Sequence, residues 1–292
     1  MSFDLDRITH PLRLAKGSHE PGSGKGCAMN VISYINGDTR ITDYPECSAR
    51  PLARIVQSVN DMLAGMDGYL SPDDSVLVLD LGWSTVGTAA VPDSVQWQWL
   101  SDLLVHPERG VVKYARPDGV APIRRVAELL ALRASGTEVS LGDWRAARDS
   151  ARNARQAAAA AADAYTAAYA AAYADADAAA YAAADAAAYA YAAADAAADA
   201  AAYAAAATDA YTAADAAADA AAYAAAYAAA DADAAAYAAA YADANAAADA
   251  AANARIDFAR WAIQHWRDLA GLDRAPDIDP TAVDSALERI HA

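Results

Sequence analysis

Residues 156–254 constrain the chain more than any other stretch. Of these 99 residues 68 are Ala, 13 are Asp and 12 are Tyr, with no Gly, Pro, Lys or Arg. Ala is the best helix former, and nothing here breaks a helix. From Asp163 to Asn253 the other residues fall on odd positions, except Thr166, Thr208 and Thr212, and the dominant step is four. Four residues turn a helix by about 400°, so each step drifts about 40° round the axis. Steps of two, as at Tyr189–Tyr191 and Asp231–Asp233, reset that drift. The pattern therefore predicts a helix with Tyr and Asp in one broad band and Ala alone opposite. An all-Ala face lets a second helix approach to near the low end of the usual ~8–10 Å spacing.

The grid falters at Ala204–Ala207, just before Thr208 and Asp209, two residue types that cap helix N-termini. Asp163-Ala-Tyr-Thr166 recurs as Asp209-Ala-Tyr-Thr212. Aromatic residues flank the stretch on both sides: Trp144 before it, and Phe258, Trp261 and Trp266 after it. These features predict a mainly α protein. A small helical N-terminal domain (1–140) would carry a long alanine-rich antiparallel helical hairpin (141–271), followed by a short C-terminal helix (272–292). Each arm would be about 90–100 Å long at 1.5 Å per residue. The alternative is one very long helix that dimerises along its Ala face, making a homodimer. On either reading the expected interaction face is Tyr181, Asp185, Asp195, Asp199, Tyr203, Asp215, Asp219, Tyr223 and Tyr227.

Charge follows the same partition. The formal net charge is −17. Residues 1–155 hold 17 basic and 19 acidic groups (−2), residues 156–254 hold 13 Asp (−13), and residues 255–292 hold 5 basic and 7 acidic groups (−2). Acidity concentrated on one segment argues against direct nucleic-acid binding. Each central Asp opposes membrane insertion by ~2.5–3.5 kcal/mol, so no membrane span is expected. Two cysteines, Cys27 and Cys47, make no dense disulfide framework, and the N-terminus lacks a basic-then-apolar leader. The expectation is a cytoplasmic protein.

Ahead of the alanine stretch, residues 1–26 read as irregular. Gly22-Ser-Gly-Lys-Gly26 lacks the spacing of a phosphate loop and no apolar strand precedes it. Residues 27–47 read two ways. Asn36-Gly37 between apolar runs fits a hairpin, whereas Ala28, Val31, Ile32 and Ile35 fit one helix face stopped by Gly37. A resemblance bears on the choice, carried by the runs Gly26-Cys-Ala-Met-Asn-Val-Ile-Ser-Tyr-Ile-Asn-Gly37, Thr42-Asp-Tyr-Pro-Glu-Cys47, Pro51-Leu-Ala-Arg-Ile-Val56, Val59-Asn-Asp61 and Val86-Gly-Thr88. Over about residues 10–135 the chain resembles a group of actinobacterial and actinophage proteins. That group carries Cys-x-Met-Glu, a Gly-ended segment, Asp-x-Pro-x-Cys and an apolar helix ending in Asn-Asp. The resemblance implies a helix over 28–36, is compatible with a phage-encoded protein, and implies no activity. Asn30 stands where the group tends to have Glu.

Residues 51–65 form an amphipathic pattern through Leu52, Ile55, Val56, Val59 and Leu63. Asp80-Leu-Gly-x-Ser-Thr85 is similar to the first phosphate loop of the actin and sugar-kinase superfamily. The later partner motifs are missing, so a buried helix or strand is expected there. Residues 94–105 predict a helix with Trp99, Leu100, Leu103 and Leu104 inward. Residues 122–135 predict another, with Pro122 at its start and Gly136 past its end. Pro280–His291 predicts a last helix capped by Asp279, whose Val283, Leu287 and Ile290 would dock on the N-terminal domain.

No catalytic constellation and no cofactor motif stand out. The weak metal candidates are His10, His19, Cys27 and Cys47, with Asp43 nearby. Their N and S donors suit zinc, but no Cys-x2-Cys or His-x3-His pair is present, and two buried free thiols explain the cysteines equally well. The leading expectation is a non-enzymatic interaction or structural protein whose acidic, tyrosine-studded stalk meets a basic partner protein. One alternative is a DNA mimic that occupies a basic cleft. Another is an ice-binding helix, because Thr212-Ala-Ala-Asp-Ala-Ala-Ala-Asp219 resembles the alanine-rich antifreeze helices. Those repeat Thr every 11 residues, and this segment has three Thr in all.

Overall fold

The computed structural model describes residues 8–19, 22–115, 117–154, 156 and 244–291. Among them the protein is mainly helical and has no strand. Two isolated antiparallel bridges, Ala15 with Tyr69 and Ser48 with Val86, stand in for a sheet. The hairpin, the long-helix alternative and the proposed interaction face from Tyr181 to Tyr227 lie outside the described residues.

The elements are α1 (Ala28–Asn36), α2 (Arg50–Leu63), α3 (Pro72–Trp83), α4 (Asp93–Val105), a 3-10 turn (Val111–Tyr114), α5 (Pro117–Ala134), α6 (141–154), α7 (Ala244–Leu269) and α8 (Pro280–His291). They fall into two compact units, Met1–Val91 with Ala259–Ala292, and Pro92–Phe258.

In the first unit α1 packs against α2, α3 and α8. Helix, not hairpin, is the outcome for residues 28–36. Gly37 ends α1 at φ 76°, in the left-handed region, and its N–H returns to the Tyr34 carbonyl. On α2 the residues Leu52, Ile55, Val56 and Val59 are all buried, as their spacing demands. α3 begins on Ser71, whose hydroxyl accepts from the Asp74 amide, with Pro72 in its first turn. Gly82 near the end of α3 is a contact point. A Cβ there would sit 2.7 Å from Ile32 Cδ1, 3.3 Å from Met29 Sδ and 3.4 Å from Val56 Cγ1. The missing side chain is what lets α3 close on α1 and α2. This also disposes of the phosphate-loop likeness: Asp80 to Gly82 lie within a helix packed on others, not in a loop after a strand.

α8 starts and ends where the sequence predicts. The Thr281 amide donates to the Asp279 carboxylate, and Val283, Leu287 and Ile290 are buried. Ile290 reaches Gly26, where a Cβ would meet its side chain at 2.9 Å.

Asp284 on α8 then clamps the other end of the chain. Its carboxylate accepts from the Thr9 amide (2.7 Å), the Thr9 hydroxyl (2.9 Å) and the His10 amide (2.8 Å), and lies 3.0 Å from His10 Nδ1. These donors hold its pKa well below the usual carboxylate range, the His10 amide most of all. The stabilisation from this clamp is present above the ordinary Asp pKa of about 3.9 and disappears as pH falls from there through the depressed native value. Asp284→Asn should therefore lower the melting temperature at pH 7. The gap to the parent protein should narrow as pH is taken from 5 to 2 in a melting series.

The second unit is built on α4 against α5. Trp99, Leu100, Leu103 and Leu104 face Ile123, Val126, Leu129 and Leu130 in a buried seam. The Ser101 hydroxyl donates to the Ala127 carbonyl at 2.9 Å across that seam, which requires the two helix backbones to lie close. One expectation is corrected here. α5 starts at Pro117, not at Pro122, which lies inside it. A Pro in the first helical position has φ preset and no amide to satisfy, so Pro117 takes the role that Pro122 was given. Gly136 does end this helix, with φ 80°. On α6, Trp144, Ala147 and Ala151 form a buried stripe at helical spacing, and Ser140 caps its first turn through the Asp143 amide. Among the described residues no helix is long and apolar enough to cross a membrane.

Candidate functional site

Polar residues of α1, of α2 and of the loop between them converge in the first unit as a buried cluster. α1 begins at Cys27, whose amide donates to Asn30 Oδ1 at 3.0 Å. The other end of the Asn30 side chain, Nδ2, donates to Asp43 Oδ1 at 3.0 Å, and Cys27 Sγ lies 3.5 Å from the same oxygen. Gln57 on α2 donates to the Asp43 carbonyl at 3.2 Å. Asn60, also on α2, accepts from the Ala28 amide at 3.3 Å and donates to the Ala15 carbonyl at 2.9 Å. Cys27, Asn30, Asp43, Gln57 and Asn60 are all buried.

A second cluster adjoins Cys47. The Gly87 amide donates to the Cys47 carbonyl at 2.8 Å. Thr88 accepts from the Ala49 amide at 2.8 Å and donates to the Thr85 carbonyl at 2.6 Å. The Thr85 hydroxyl is 2.7 Å from both Ser48 Oγ and the Gly82 carbonyl. Val86-Gly-Thr88 thereby fastens the end of α3 to the start of α2.

This arrangement holds backbone in place more than it offers reactive groups. Burial above all, and then the Asp43 carboxylate, push the Cys27 thiol far above its usual range, so it is the protonated thiol at neutral pH. Cys47 is half-buried, and burial raises its thiol too. A thiolate is the reactive form. We therefore expect Cys47 to react first, and slowly, with a disulfide reagent at pH 8, and Cys27 only on unfolding. Titration of native and denatured protein with such a reagent checks this; two fast thiols in the native protein would contradict it.

The four metal candidates are not brought together. His10 pairs with Asp284, His19 Nε2 lies 3.3 Å from the Ala15 carbonyl, Cys27 faces Asp43, and Cys47 Sγ is 3.8 Å from Ser48 Oγ. Among the described residues no group of three or more His, Cys, Asp and Glu is placed to hold a metal ion. The Gly22–Gly26 loop precedes a helix N-terminus, as a phosphate loop does, but two amides there are already used, by Asn30 and Asn60.

Sequence reasoning named Cys27, Cys47 and Asp43 but passed over Asn30 and Asn60 as bonding residues. Asn30 lies off the apolar face of α1 and Asn60 only borders that of α2, so spacing gives no signal for either. Comparison with protein-family models, with curated proteins and with solved structures finds no match, so the functional reading rests on the chain's own residues.

Proposed function

We propose that this is a non-enzymatic interaction protein: a helical body carries the acidic, tyrosine-studded segment 156–254, and that segment binds a basic partner protein. The observation that supports this reading is how the polar residues of the motifs are used. Cys27, Asn30, Asp43 and Asn60 are sealed in the core and bonded to each other or to backbone, which is the work of a scaffold. The concentrated charge of the chain lies instead on the 13 Asp of 156–254. Tyr is favoured at protein interfaces, and spaced carboxylates steer a basic partner.

A DNA mimic is the second reading, favoured by Asp without a single Lys or Arg in the segment. Its charge is sparse, about one per 7 Å of hairpin against one per ~1.7 Å of duplex axis.

Co-precipitation from a lysate of the encoding organism tests the proposal. The full chain is compared with a variant carrying all 13 segment Asp as Asn, and the captured protein is re-measured in purified form. We expect a basic protein that is retained by the full chain, lost with the variant and released by salt. Retention that ignores the substitution overturns the reading, and release by duplex DNA moves it to the mimic.

A further inference from the structure

Away from the buried cluster, cations and tyrosines of the first unit line up around one small cleft. Arg13 lies over the Tyr69 ring, 4.0 Å from its centroid, and Lys25 Nζ is 5.4 Å from the same centroid. Lys25 also lines the cleft, together with His19, Asn30, Tyr34, Ile41 and Ile290. Arg289 lies over the ring of Tyr34, another lining residue, at 4.7 Å. Through these contacts Arg13, Tyr69, Lys25, the cleft, Tyr34 and Arg289 adjoin one another in turn. Four parts of the chain supply them: the 13–25 segment, α1, the loop between α2 and α3 that carries Tyr69, and α8.

The charges on this strip are only partly matched. Asp67 pairs with Arg13 at 2.6 Å, and Asp43 lies beneath the cleft, bonded to Asn30. Lys25 and Arg289 are exposed and make no salt bridge among the described residues. Stacking on Tyr holds each cation at a set place; Arg13 gives one N–H to Asp67 and keeps others for an anion, as do Lys25 and Arg289. The cleft has a free volume of ≈ 10 Å³, about enough for one water-sized group. That suits an oxygen of a single carboxylate, not a whole small-molecule ligand. The neighbouring cations, with Ile41 and Ile290 in the lining, suit further carboxylates and apolar groups on the same chain.

We propose that this strip is a docking site for an acidic peptide segment of a partner protein, with one carboxylate in the cleft between Lys25 and Tyr34 and its neighbours on Arg13 and Arg289. Its residues are distinct from those of the acidic segment 156–254, and the proposal does not depend on the role given to that segment.

The test is titration of the full-length protein with a fluorescent hexaglutamate peptide at low and at physiological salt. Inorganic phosphate and anionic phosphatidylserine vesicles are run beside it. We expect the peptide to bind, to weaken as salt rises, and to lose at least tenfold in affinity in the Lys25→Glu/Arg289→Glu variant. Lys25→Gln/Arg289→Gln should lose less. Unchanged melting temperatures certify that both variants are folded, as exposed positions allow. Absence of peptide binding at low salt overturns the proposal. So does binding that the double reversal leaves unchanged, or phosphate or vesicles binding through Lys25 and Arg289 more tightly than the peptide.

Discussion

Arg267→Met is expected to destabilise the first unit by about 3–5 kcal/mol. Arg267 sits in the last turn of α7 and is 6% exposed. Its guanidinium donates to the Ser84 carbonyl at 3.1 Å, to the Val86 carbonyl at 2.9 Å and to the Asp273 carbonyl. The acceptors are all backbone, from the turn after α3 and from the loop after α7. No other side chain presents donors in a planar fork that can reach three such carbonyls. Methionine fills much of the volume but donates nothing, and each buried acceptor left bare costs ~1–3 kcal/mol. Burial lowers the Arg267 pKa, yet an arginine stays charged at any ordinary pH. The loss should therefore be the same at pH 6 and pH 9. Arg267→Lys should recover only part of it, because a single ammonium cannot span the three sites. Urea unfolding followed by tryptophan fluorescence measures both, since Trp266 adjoins the substitution and is buried. A loss below 1 kcal/mol for Met would mean that the carbonyls find other donors.

The second large effect is expected at Asn60. It is fully buried and joins three parts of the chain: α2, on which it stands, the Ala28 amide at the start of α1, and the Ala15 carbonyl in the segment before it. Asn60→Leu is close in size and leaves that amide without its acceptor. By the same cost per buried group, about 2–4 kcal/mol should be lost. His19 Nε2, 3.3 Å from the Ala15 carbonyl, offers partial compensation on that side. Asn60→Asp separates the two bonds: it keeps an acceptor for Ala28 and removes the donor to Ala15, and it buries a charge. Its penalty should shrink as pH falls and the carboxyl takes a proton, whereas that of Leu should not. Parallel unfolding curves at pH 5 and pH 8 decide this, and identical pH behaviour of the two variants would sink the account.

Both predictions concern residues that no periodicity identifies. Several helices were legible, though the α3 stretch reads as either helix or strand. Leu52, Ile55, Val56 and Val59, or Trp99, Leu100, Leu103 and Leu104, announce a buried face because apolar side chains repeat at the pitch of a helix. Gly37 and Gly136 announce helix ends because left-handed backbone costs glycine least. Residues 28–36 needed the motif resemblance to choose helix over hairpin, since nine residues are too few for the period to decide. Pro122 misled for a local reason: a proline looks like a helix start whether or not an earlier one, here Pro117, has already started it.

The amino-acid order alone thus determined the helical class, most of the helix limits and the placing of charge on 156–254, because these depend on near neighbours and on composition. Only the tertiary structure decided which polar residues meet. Asn30 with Asp43, Asn60 with Ala15, Arg267 with Ser84 and Val86, and Asp284 with Thr9 are pairs separated by 13 to 275 positions. Hydrogen bonding is short-ranged and directional, so such partners are set by how the helices pack and leave no period in the sequence to read.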